Sequence, residues 1–335
     1  MRVLIPDVQF DGEPTVEIEA FEGKASFDVY QAKSGAEIPD DVLRACDAVL
    51  LWHIVDVDPA MVAKLDNCKI IARLGIGYDR INTAACGERG IRVSNVPSYD
   101  VTDVVNSTIA MVLALQRGLL SYHEELKADI RRNWAWEGPP ALRRVRGQNF
   151  GIVGCGRIGT AVAVRARAMG MNVGYFDPYL PTGHEMSLDL KRFGSLEELL
   201  GWSDAVSLHT PLNADTTNMI NKATVDAMKG DTILCNCARG GLVDLDALEH
   251  GIRTGKIGGA ALDAFTLEPP APHPMLDAWA RDEDWIKGRL CITPHSSFYS
   301  RTTLNEIRRD AARTAFDYLA NGVWRNGVNA KELKD

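Results

Sequence analysis

The sequence has no excess of basic residues, no long hydrophobic run and no paired cysteine spacing, and each absence excludes a class of protein. Its 335 residues carry a net charge of −8, which disfavours nucleic acid and anionic membranes as partners. The longest apolar run, around IAMVLAL, is far short of the ~20 residues of a membrane span. The apolar run at the start is too short for a signal peptide. We therefore expect a cytoplasmic protein that does not contact a membrane.

The seven cysteines do not show the spacing of a disulfide framework or a zinc site. Cys235 and Cys237 are separated by one residue in a predicted strand. We expect their side chains on opposite faces of that strand, which argues against a zinc ion shared by the pair. The sequence thus predicts no metal site and fits a reducing compartment.

Length and residue order predict an α/β protein of two domains, since 335 residues exceed one ordinary core. In the first hundred residues the predicted strands RVLIP, FDVYQ, AVLLWH, IIARLG and IRVSNV alternate with helical segments such as DPAMVAKLD. This order is typical of a parallel sheet covered by helices on both faces. Residues 101–130 then show continuous helical periodicity, which predicts one long helix that crosses between domains or packs against a partner subunit.

The alternation of strands and helices resumes at NFGIVGCG and continues through NVGYFD, AVSLHT, TILCNCA, IGGAALDA and LCITP. Six strands with intervening helices make a complete dinucleotide-binding fold of the Rossmann type. A last helical segment, RTTLNEIRRDAARTAFDYLANG, follows. We expect the Rossmann domain to span residues 101–299 and to be inserted in a domain formed by residues 1–100 and 300–335, with hinges near 96–102 and 296–301.

A glycine motif in GIVGCGRIG predicts the position of a dinucleotide. Gly154, Gly156 and Gly159 follow a strand and open a helix, where they allow a tight turn, close approach of a pyrophosphate and helix–strand packing. The N–H groups around Arg157 and Ile158 would face the phosphates at the positive end of the helix dipole. A purely structural glycine turn is the alternative.

Asp177 ends the next predicted strand, in YFDPY, where a carboxylate would bind the two ribose hydroxyls of an adenosine. The same carboxylate would repel a 2′-phosphate, and the following Pro178 and Tyr179 supply no arginine to replace it. The sequence therefore predicts NAD as the cofactor in preference to NADP.

Three polar residues follow predicted strands in the second half of the chain. Arg239 precedes two glycines, and a desolvated arginine requires an anion, which is either a substrate carboxylate or an acidic side chain across a domain boundary. Glu268 stands before two prolines, and His295 follows the Pro of the TPHSSFYS segment. Taken alone, each of these two residues fits a surface or packed core position as well as a functional one.

Together these segments make the chain similar to the D-isomer-specific 2-hydroxyacid dehydrogenase family, and closest to its C-terminal binding protein branch. RLGIGYDRIN, the glycine loop with its acid, LHTPLNADTTNMIN, NCARGGLVD, ALDAFTLEP and TPHSSFYS occur in the family's order. The resemblance implies a Rossmann-type NAD-binding domain inserted in a flavodoxin-like substrate domain, and catalysis by Arg239, Glu268 and His295. It places Ile76 and Gly77 beside the substrate carboxylate. It also implies further cofactor contacts from Thr108, His209, Pro211, Cys237, Ala238 and Asp263.

The chemistry of 2-keto acid reduction agrees with this assignment. Hydride transfer to C2 requires a proton for the developing alkoxide, which a protonated His295 could donate, because the ordinary pKa of histidine is near ~6.5. Glu268 would favour the charged ring and fix its orientation. Arg239 would bind the substrate carboxylate and polarise the carbonyl group.

Two classes of function stay open: an enzyme that interconverts 2-keto and 2-hydroxy acids, and an NAD(H)-responsive interaction protein such as a corepressor. The short segment after His295, without a long tail, favours the enzyme. Phosphoglycerate dehydrogenase and glyoxylate or hydroxypyruvate reductase are further alternatives within the first class. Phe298 stands where the corepressors carry a tryptophan, and we expect it at the edge of the substrate site. The segment RRNWAWEGPPALRRVRG predicts a contact between the subunits of a homodimer.

Overall fold

The computed structural model describes residues 1–97, 101–138 and 142–333. The chain divides into two compact units. The first comprises Met1–Asp100 and Tyr299–Asp335, and the second comprises Val101–Phe298. Each unit contains its own parallel β-sheet.

The sheet of the first unit has five parallel strands in the order β2-β1-β3-β4-β5. The strands are β1 (Arg2–Ile5), β2 (Ser26–Val29), β3 (Ala48–Leu51), β4 (Ile70–Arg73) and β5 (Arg92–Ser94). Each of them coincides with a segment predicted from the sequence. The order is that of the flavodoxin-like doubly wound fold, which confirms the predicted fold class of this unit.

Helices cover this first sheet on both faces, since separate clusters of buried apolar residues lie on either side of it. The helices are α1 (Thr15–Ala20), α2 (Asp40–Ala45), α3 (Pro59–Val62), α4 (Thr83–Glu88) and α13 (Arg301–Asn321). Helix α13 packs against α1, and a buried ion pair joins Arg308 Nη2 to Glu17 Oε2 at 2.6 Å. The last predicted helix thus packs on the helices of the first unit.

The sheet of the second unit has seven parallel strands in the order β12-β11-β10-β9-β6-β7-β8. They are β6 (Asn149–Val153), β7 (Asn172–Phe176), β8 (Lys191–Arg192), β9 (Ala205–Leu208), β10 (Thr232–Asn236), β11 (Ile257–Leu262) and β12 (Leu290–Ile292). The central order 3-2-1-4-5-6 defines the Rossmann fold, and β12 extends it by one strand. The prediction of six strands missed β8, because two adjacent basic residues show no apolar periodicity.

The helices of the second unit are α5 (Val101–Gln116), α6 (Leu119–Ala128), α7 (Arg157–Ala168), α8 (His184–Leu188), α9 (Leu196–Trp202), α10 (Lys222–Ala227), α11 (Leu245–Arg253) and α12 (Pro274–Ala280). The prediction of one long helix over residues 101–130 is wrong. Gly118 takes a φ of 62°, in the left-handed region that glycine favours, and the axes of α5 and α6 differ by 59°. Within the described residues no single helix is long and apolar enough to cross a membrane, although α5 and α6 counted together pass that test.

Candidate active site

The glycine turn after β6 has the geometry of a dinucleotide site. Gly154 has a φ of +85°, and a Cβ on Gly159 would lie 2.1 Å from the carbonyl oxygen of Gly154, so helix and strand approach closely only with glycine there. A Cβ on Gly156 would meet nothing within 4 Å. The space in front of the first turn of α7, where Arg157 and Ile158 lie, is therefore open to a ligand phosphate, and the turn fits the diphosphate of NAD.

Asp177 lies beside this turn at the end of β7. Its Oδ2 accepts a hydrogen bond from the N–H of Cys155 at 2.9 Å, and its Oδ1 accepts one from the N–H of Tyr179 at 3.0 Å. Each carboxylate oxygen has a second lone pair that can accept another donor. The carboxylate is thus held next to the phosphate turn with acceptor capacity for the ribose hydroxyls.

Arg192 on β8 fixes the loop that carries Asp177. Its Nη2 donates to the carbonyl oxygens of Leu180 at 2.8 Å and Asp177 at 3.3 Å, and its Nη1 donates to that of Pro181 at 3.1 Å. Glu185 balances its charge at 3.6 Å. The two positions after Asp177 gave no sign of this residue, because the arginine reaches the same loop from the next strand.

His209 follows β9 and is neutral. Its Nε2 lies 2.8 Å from the hydroxyl of Ser207, and burial lowers the pKa of the ring to about 3. The carbonyl oxygen of the nearby Pro211 accepts the hydroxyl of Thr216 at 2.6 Å. A neutral, hydrogen-bonded imidazole cannot serve as a proton donor near neutral pH, and contact of both residues with the cofactor stays a prediction.

The turn after β10 presents Arg239. The buried amide of Asn236 donates to the carbonyl oxygen of Arg239 at 2.8 Å and accepts the N–H of Ala238 at 3.1 Å. A Cβ on Gly240 would lie 1.9 Å from the carbonyl carbon of Phe265, so only glycine lets this turn pack on the next loop. Asn236, which no motif in the sequence singles out, therefore sets the backbone from which the guanidinium extends.

Glu268 and His295 form a close pair. His295 Nδ1 lies 2.8 Å from Oε2 and 3.0 Å from Oε1 of Glu268, and both side chains are 29% exposed. The N–H of Phe265 donates to Oε1 of the same carboxylate at 3.1 Å, and the Glu268–Pro269 peptide is cis. Two residues that looked unremarkable separately are thus brought together by the loops after β11 and β12.

Asp263 holds the segment that carries His295. Its carboxylate is 2% exposed and accepts the hydroxyl of Thr293 at 2.5 Å and the N–H groups of Ser296 and Ser297 at 2.8 and 3.1 Å. Its carbonyl oxygen accepts the N–H of His295 at 2.8 Å, while His295 takes a φ of 51°, which is uncommon for a residue other than glycine. The structure thus gives Asp263 a positioning role that sequence reasoning missed, and its contact with the cofactor stays a prediction.

The structure also shows the contacts of two other predicted site residues of the second unit, Phe298 and Thr108. The ring of Phe298 meets that of His295 edge to face, with centroids 6.3 Å apart. Thr108 on α5 is fully buried, and its hydroxyl donates to the carbonyl oxygen of Val104 at 2.9 Å. Because this hydroxyl already donates its proton, it could contact a cofactor only as a hydrogen-bond acceptor, through an oxygen lone pair.

Ile76 and Gly77 belong to the first unit and follow β4. The carbonyl oxygen of Ile76 accepts the side-chain amide of Asn95 at 2.7 Å, and both residues are partly buried. This contact fixes the orientation of one peptide group at the carboxyl end of the sheet. The role of the pair in substrate binding stays a prediction.

The expectation that Cys235 and Cys237 point to opposite faces is wrong. Their sulfur atoms lie 3.7 Å apart, because residues two positions apart in a strand share one face. Over residues 1–97, 101–138 and 142–333, no group of three or more His, Cys, Asp or Glu side chains is placed to hold a metal ion.

The fold and the glycine turn together define a two-unit α/β protein with a dinucleotide-binding domain of the Rossmann type. The model of the family "D-isomer specific 2-hydroxyacid dehydrogenase, NAD binding domain" matches residues 109–297. The chain belongs to this family, which confirms the resemblance seen in the sequence and NAD as its cofactor.

Relatives of the chain differ in what they do. This chain is 30% identical over 305 residues to C-terminal-binding protein 1 of Caenorhabditis elegans, and the match covers 89% of this chain and 41% of that protein. It is 34% identical over 278 residues to D-3-phosphoglycerate dehydrogenase of Bacillus subtilis (strain 168), covering 82% and 50%. The chain thus spans half or less of the length of these curated relatives.

One relative of known structure matches this chain along almost the whole length of both proteins. The D-lactate dehydrogenase of Aquifex aeolicus, determined with NAD and lactic acid, superposes with a TM-score of 0.84 at 27% identity, covering 98% of this chain and 99% of that one. The agreement extends over both units of the fold.

Proposed function

We propose that the chain is an NAD-dependent oxidoreductase that reduces a 2-keto acid to the D-2-hydroxy acid and catalyses the reverse reaction. The observation that carries the proposal is the 2.8 Å contact between His295 Nδ1 and Glu268, in the same unit as the open glycine turn and Asp177. An imidazole held by a carboxylate at the carboxyl ends of a Rossmann sheet is suited to acid–base chemistry on a ligand bound there.

His295 would transfer the proton. With Nδ1 directed at Glu268, Nε2 is the nitrogen from which a proton would pass to the oxygen on C2 during reduction, and to which it would return during oxidation. The negative charge of Glu268 stabilises the protonated ring. NADH, when bound, supplies the hydride that reduces C2.

Arg239 would bind and orient the substrate. A planar guanidinium can hold a carboxylate through two parallel hydrogen bonds and also stabilise charge that develops on the neighbouring carbonyl oxygen. Asn236 and Gly240 fix the turn from which Arg239 extends. The Arg239 side chain therefore has less conformational freedom to lose when it binds the substrate. A role for Ile76 and Gly77 in substrate binding is part of the proposal on the strength of the family resemblance.

The decisive experiment is steady-state oxidation of NADH against a panel of 2-keto acids. The panel should contain glyoxylate, hydroxypyruvate, phosphohydroxypyruvate, pyruvate and larger 2-keto acids, and the product of the best substrate should be assigned as D or L. Turnover that disappears in His295→Ala supports the proposal. Tight NADH binding without turnover of any member would instead favour an NAD(H)-responsive interaction protein, the alternative that the likeness to C-terminal-binding protein 1 suggests.

A further inference from the structure

One side chain, that of Arg192 on β8, supplies hydrogen-bond donors to the Asp177 loop, residues 177–183, which follows β7. The guanidinium donates to the carbonyl oxygens of Asp177 at 3.3 Å, Leu180 at 2.8 Å and Pro181 at 3.1 Å. A guanidinium is suited to several acceptors at once, because its N–H groups form a rigid planar fork. Arg192 therefore fixes the loop at its first residue and again in its middle.

The Asp177 loop has few backbone hydrogen bonds of its own. Pro178 and Pro181 have no N–H group to donate. Over the part of the chain that the structure describes, no backbone N–H donates to the carbonyl oxygen of Asp177 or to that of Leu180. These two peptide groups therefore depend on the side chain of Arg192 for their hydrogen bonds.

Glu185 on α8 holds both Arg192 and the last residue of the same loop. Its Oε2 lies 3.6 Å from Nη1 of Arg192 and accepts the hydroxyl of the buried Tyr175 at 3.2 Å. Its Oε1 accepts the N–H of Gly183 at 3.2 Å. The Cζ atom of Arg192 lies 6.0 Å from the centroid of the Tyr175 ring. An anion and an aromatic ring thus hold the guanidinium in place against the loop.

The contacts of Arg192 reach the carboxylate of Asp177 through the backbone. Tyr179 donates its N–H to Asp177 Oδ1 at 3.0 Å. The carbonyl groups of Asp177 and Leu180, which Arg192 binds, lie on either side of Tyr179 in the chain. The direction of the Tyr179 N–H, and with it the orientation of the carboxylate, therefore depends on peptide groups that Arg192 fixes.

We propose that Arg192, held by Glu185, is a positioning residue for the adenosine half of NAD. It keeps the Asp177 loop in the conformation in which Asp177 accepts the ribose hydroxyls. The apparent affinity for a ligand falls with the fraction of molecules that are competent to bind it, so a loop fixed in advance binds more tightly. The inference rests on NAD as the cofactor and on Asp177 as the ribose acceptor, and it does not depend on which substrate is reduced.

The first test is the Kd of NADH, measured by fluorescence titration of the intact protein without a 2-keto acid. Arg192→Met removes the donors and keeps an unbranched side chain, and it should raise Kd at least about tenfold. Arg192→Lys restores the charge and some of the donors, and it should recover part of the loss. An unchanged Kd in Arg192→Met would overturn the proposal.

Lys191→Met is the matched control, because it removes the same charge from the neighbouring position of β8. The ammonium group of Lys191 lies over the rings of Phe193 and Trp202, at 4.6 and 5.5 Å from their centroids, and makes no contact with the Asp177 loop. This variant should leave the Kd of NADH unchanged. A loss equal to that of Arg192→Met would reduce the effect to charge alone and would overturn the positioning role.

ADP-ribose locates the effect within the cofactor. It carries the adenosine and the diphosphate but no nicotinamide, so Arg192→Met should weaken its binding by the same factor as that of NADH. A loss confined to NADH would place the effect at the nicotinamide and refute the proposal. A merely structural role would lower the thermal unfolding midpoint of the ligand-free protein and leave both Kd values in place, which would refute it as well.

The double variant Asp177→Ala, Arg192→Met tests whether Arg192 acts through Asp177. In the Asp177→Ala background, removal of Arg192 should change the Kd of NADH by less than about twofold, because the acceptor that it positions is gone. Fully additive losses would mean that Arg192 acts elsewhere, contrary to the proposal. These measurements need no turnover, so a protein that shows the expected changes and reduces no 2-keto acid would support this inference while the proposed function fails.

Glu185→Gln tests the second member of the pair. The amide oxygen can still accept the N–H of Gly183, but the charge that holds the guanidinium is lost. We expect a Kd for NADH between those of the parent and of Arg192→Met. An unchanged Kd would overturn the part assigned to Glu185.

Discussion

Glu268 holds Nδ1 of His295 with both carboxylate oxygens, at 2.8 and 3.0 Å. The two residues are 27 positions apart in the chain, on the loops after β11 and β12, and Asp263 fixes the second of these loops through three donors to its carboxylate. Glu268 therefore sets the orientation of the imidazole ring, and the buried carboxylate of Asp263 sets the backbone conformation of the segment that carries the ring. Such double fixation is what acid–base catalysis requires of its proton donor.

Glu268→Gln tests the electrostatic part of this relationship. The amide keeps a hydrogen bond to the ring but removes the negative charge that favours its protonated form. Reduction requires that form, so kcat/KM for reduction of the best 2-keto acid should fall. Glu249→Gln, which alters a surface pair with Arg253, is the control and should leave kcat/KM unchanged. A kcat/KM unchanged in Glu268→Gln would remove Glu268 from the mechanism.

His295→Ala and Arg239→Ala should lose activity in different ways. Without His295 the binding of substrate persists and kcat should fall about 10²–10⁴-fold, the usual contribution of a positioned proton donor. Without Arg239 both binding and orientation suffer, so kcat/KM should fall through KM as well as kcat. Steady-state kinetics of both variants with the best 2-keto acid make the comparison. A large rise in KM for His295→Ala with kcat preserved would contradict this division.

Asp177 should determine the choice between NAD and NADP. Its carboxylate, fixed by the N–H groups of Cys155 and Tyr179, would repel a 2′-phosphate, and we expect NAD to be preferred by at least about tenfold in kcat/KM. Asp177→Ala should narrow that ratio, because the repulsion is lost while the glycine turn persists. Kinetics with NADH and NADPH in both proteins decide the point, and equal use of the two cofactors by the unchanged chain would refute it.

The strands that carry the site residues could be predicted from the sequence, but the tertiary contacts around those residues could not. Periodicity located the strands that end at Asp177, Arg239 and His295, because buried parallel strands are continuous apolar runs. It could not show that a φ of 62° at Gly118 would break the long helix, or that β8 would return Arg192 to the Asp177 loop. These features depend on tertiary packing between segments that no local pattern connects.

A homodimer is the expected form of the protein in solution. Trp134 and Trp136 are 76% and 86% exposed, and Leu119 and Ile130 are more than half exposed in the same stretch of chain. Large apolar side chains grouped in this way are typical of an interaction surface. Sedimentation at micromolar concentration should give about twice the chain mass of 36.7 kDa. The double variant Trp134→Ser, Trp136→Ser should shift the equilibrium towards monomer, and a parent protein of single-chain mass would contradict the prediction.

Phe298 should select the size of the substrate. Its ring meets that of His295 edge to face at 6.3 Å, so a substrate that receives a proton from His295 would have this apolar surface within reach of its side chain. Because burial of one methylene is worth ~0.8 kcal/mol, several of them against the ring would give roughly tens-fold discrimination against glyoxylate, which has no side chain. A ring that only packs its own chain segment would give no such discrimination.

The measurement is kcat/KM for glyoxylate and for a larger 2-keto acid, in the parent and in Phe298→Ala. The larger acid should lose more than glyoxylate does, since only its side chain uses the surface that the substitution removes. Phe298→Leu restores apolar bulk without the aromatic ring and should recover part of the difference. Equal losses for both substrates in Phe298→Ala would mean that the ring supports the position of His295 and has no part in the choice of substrate.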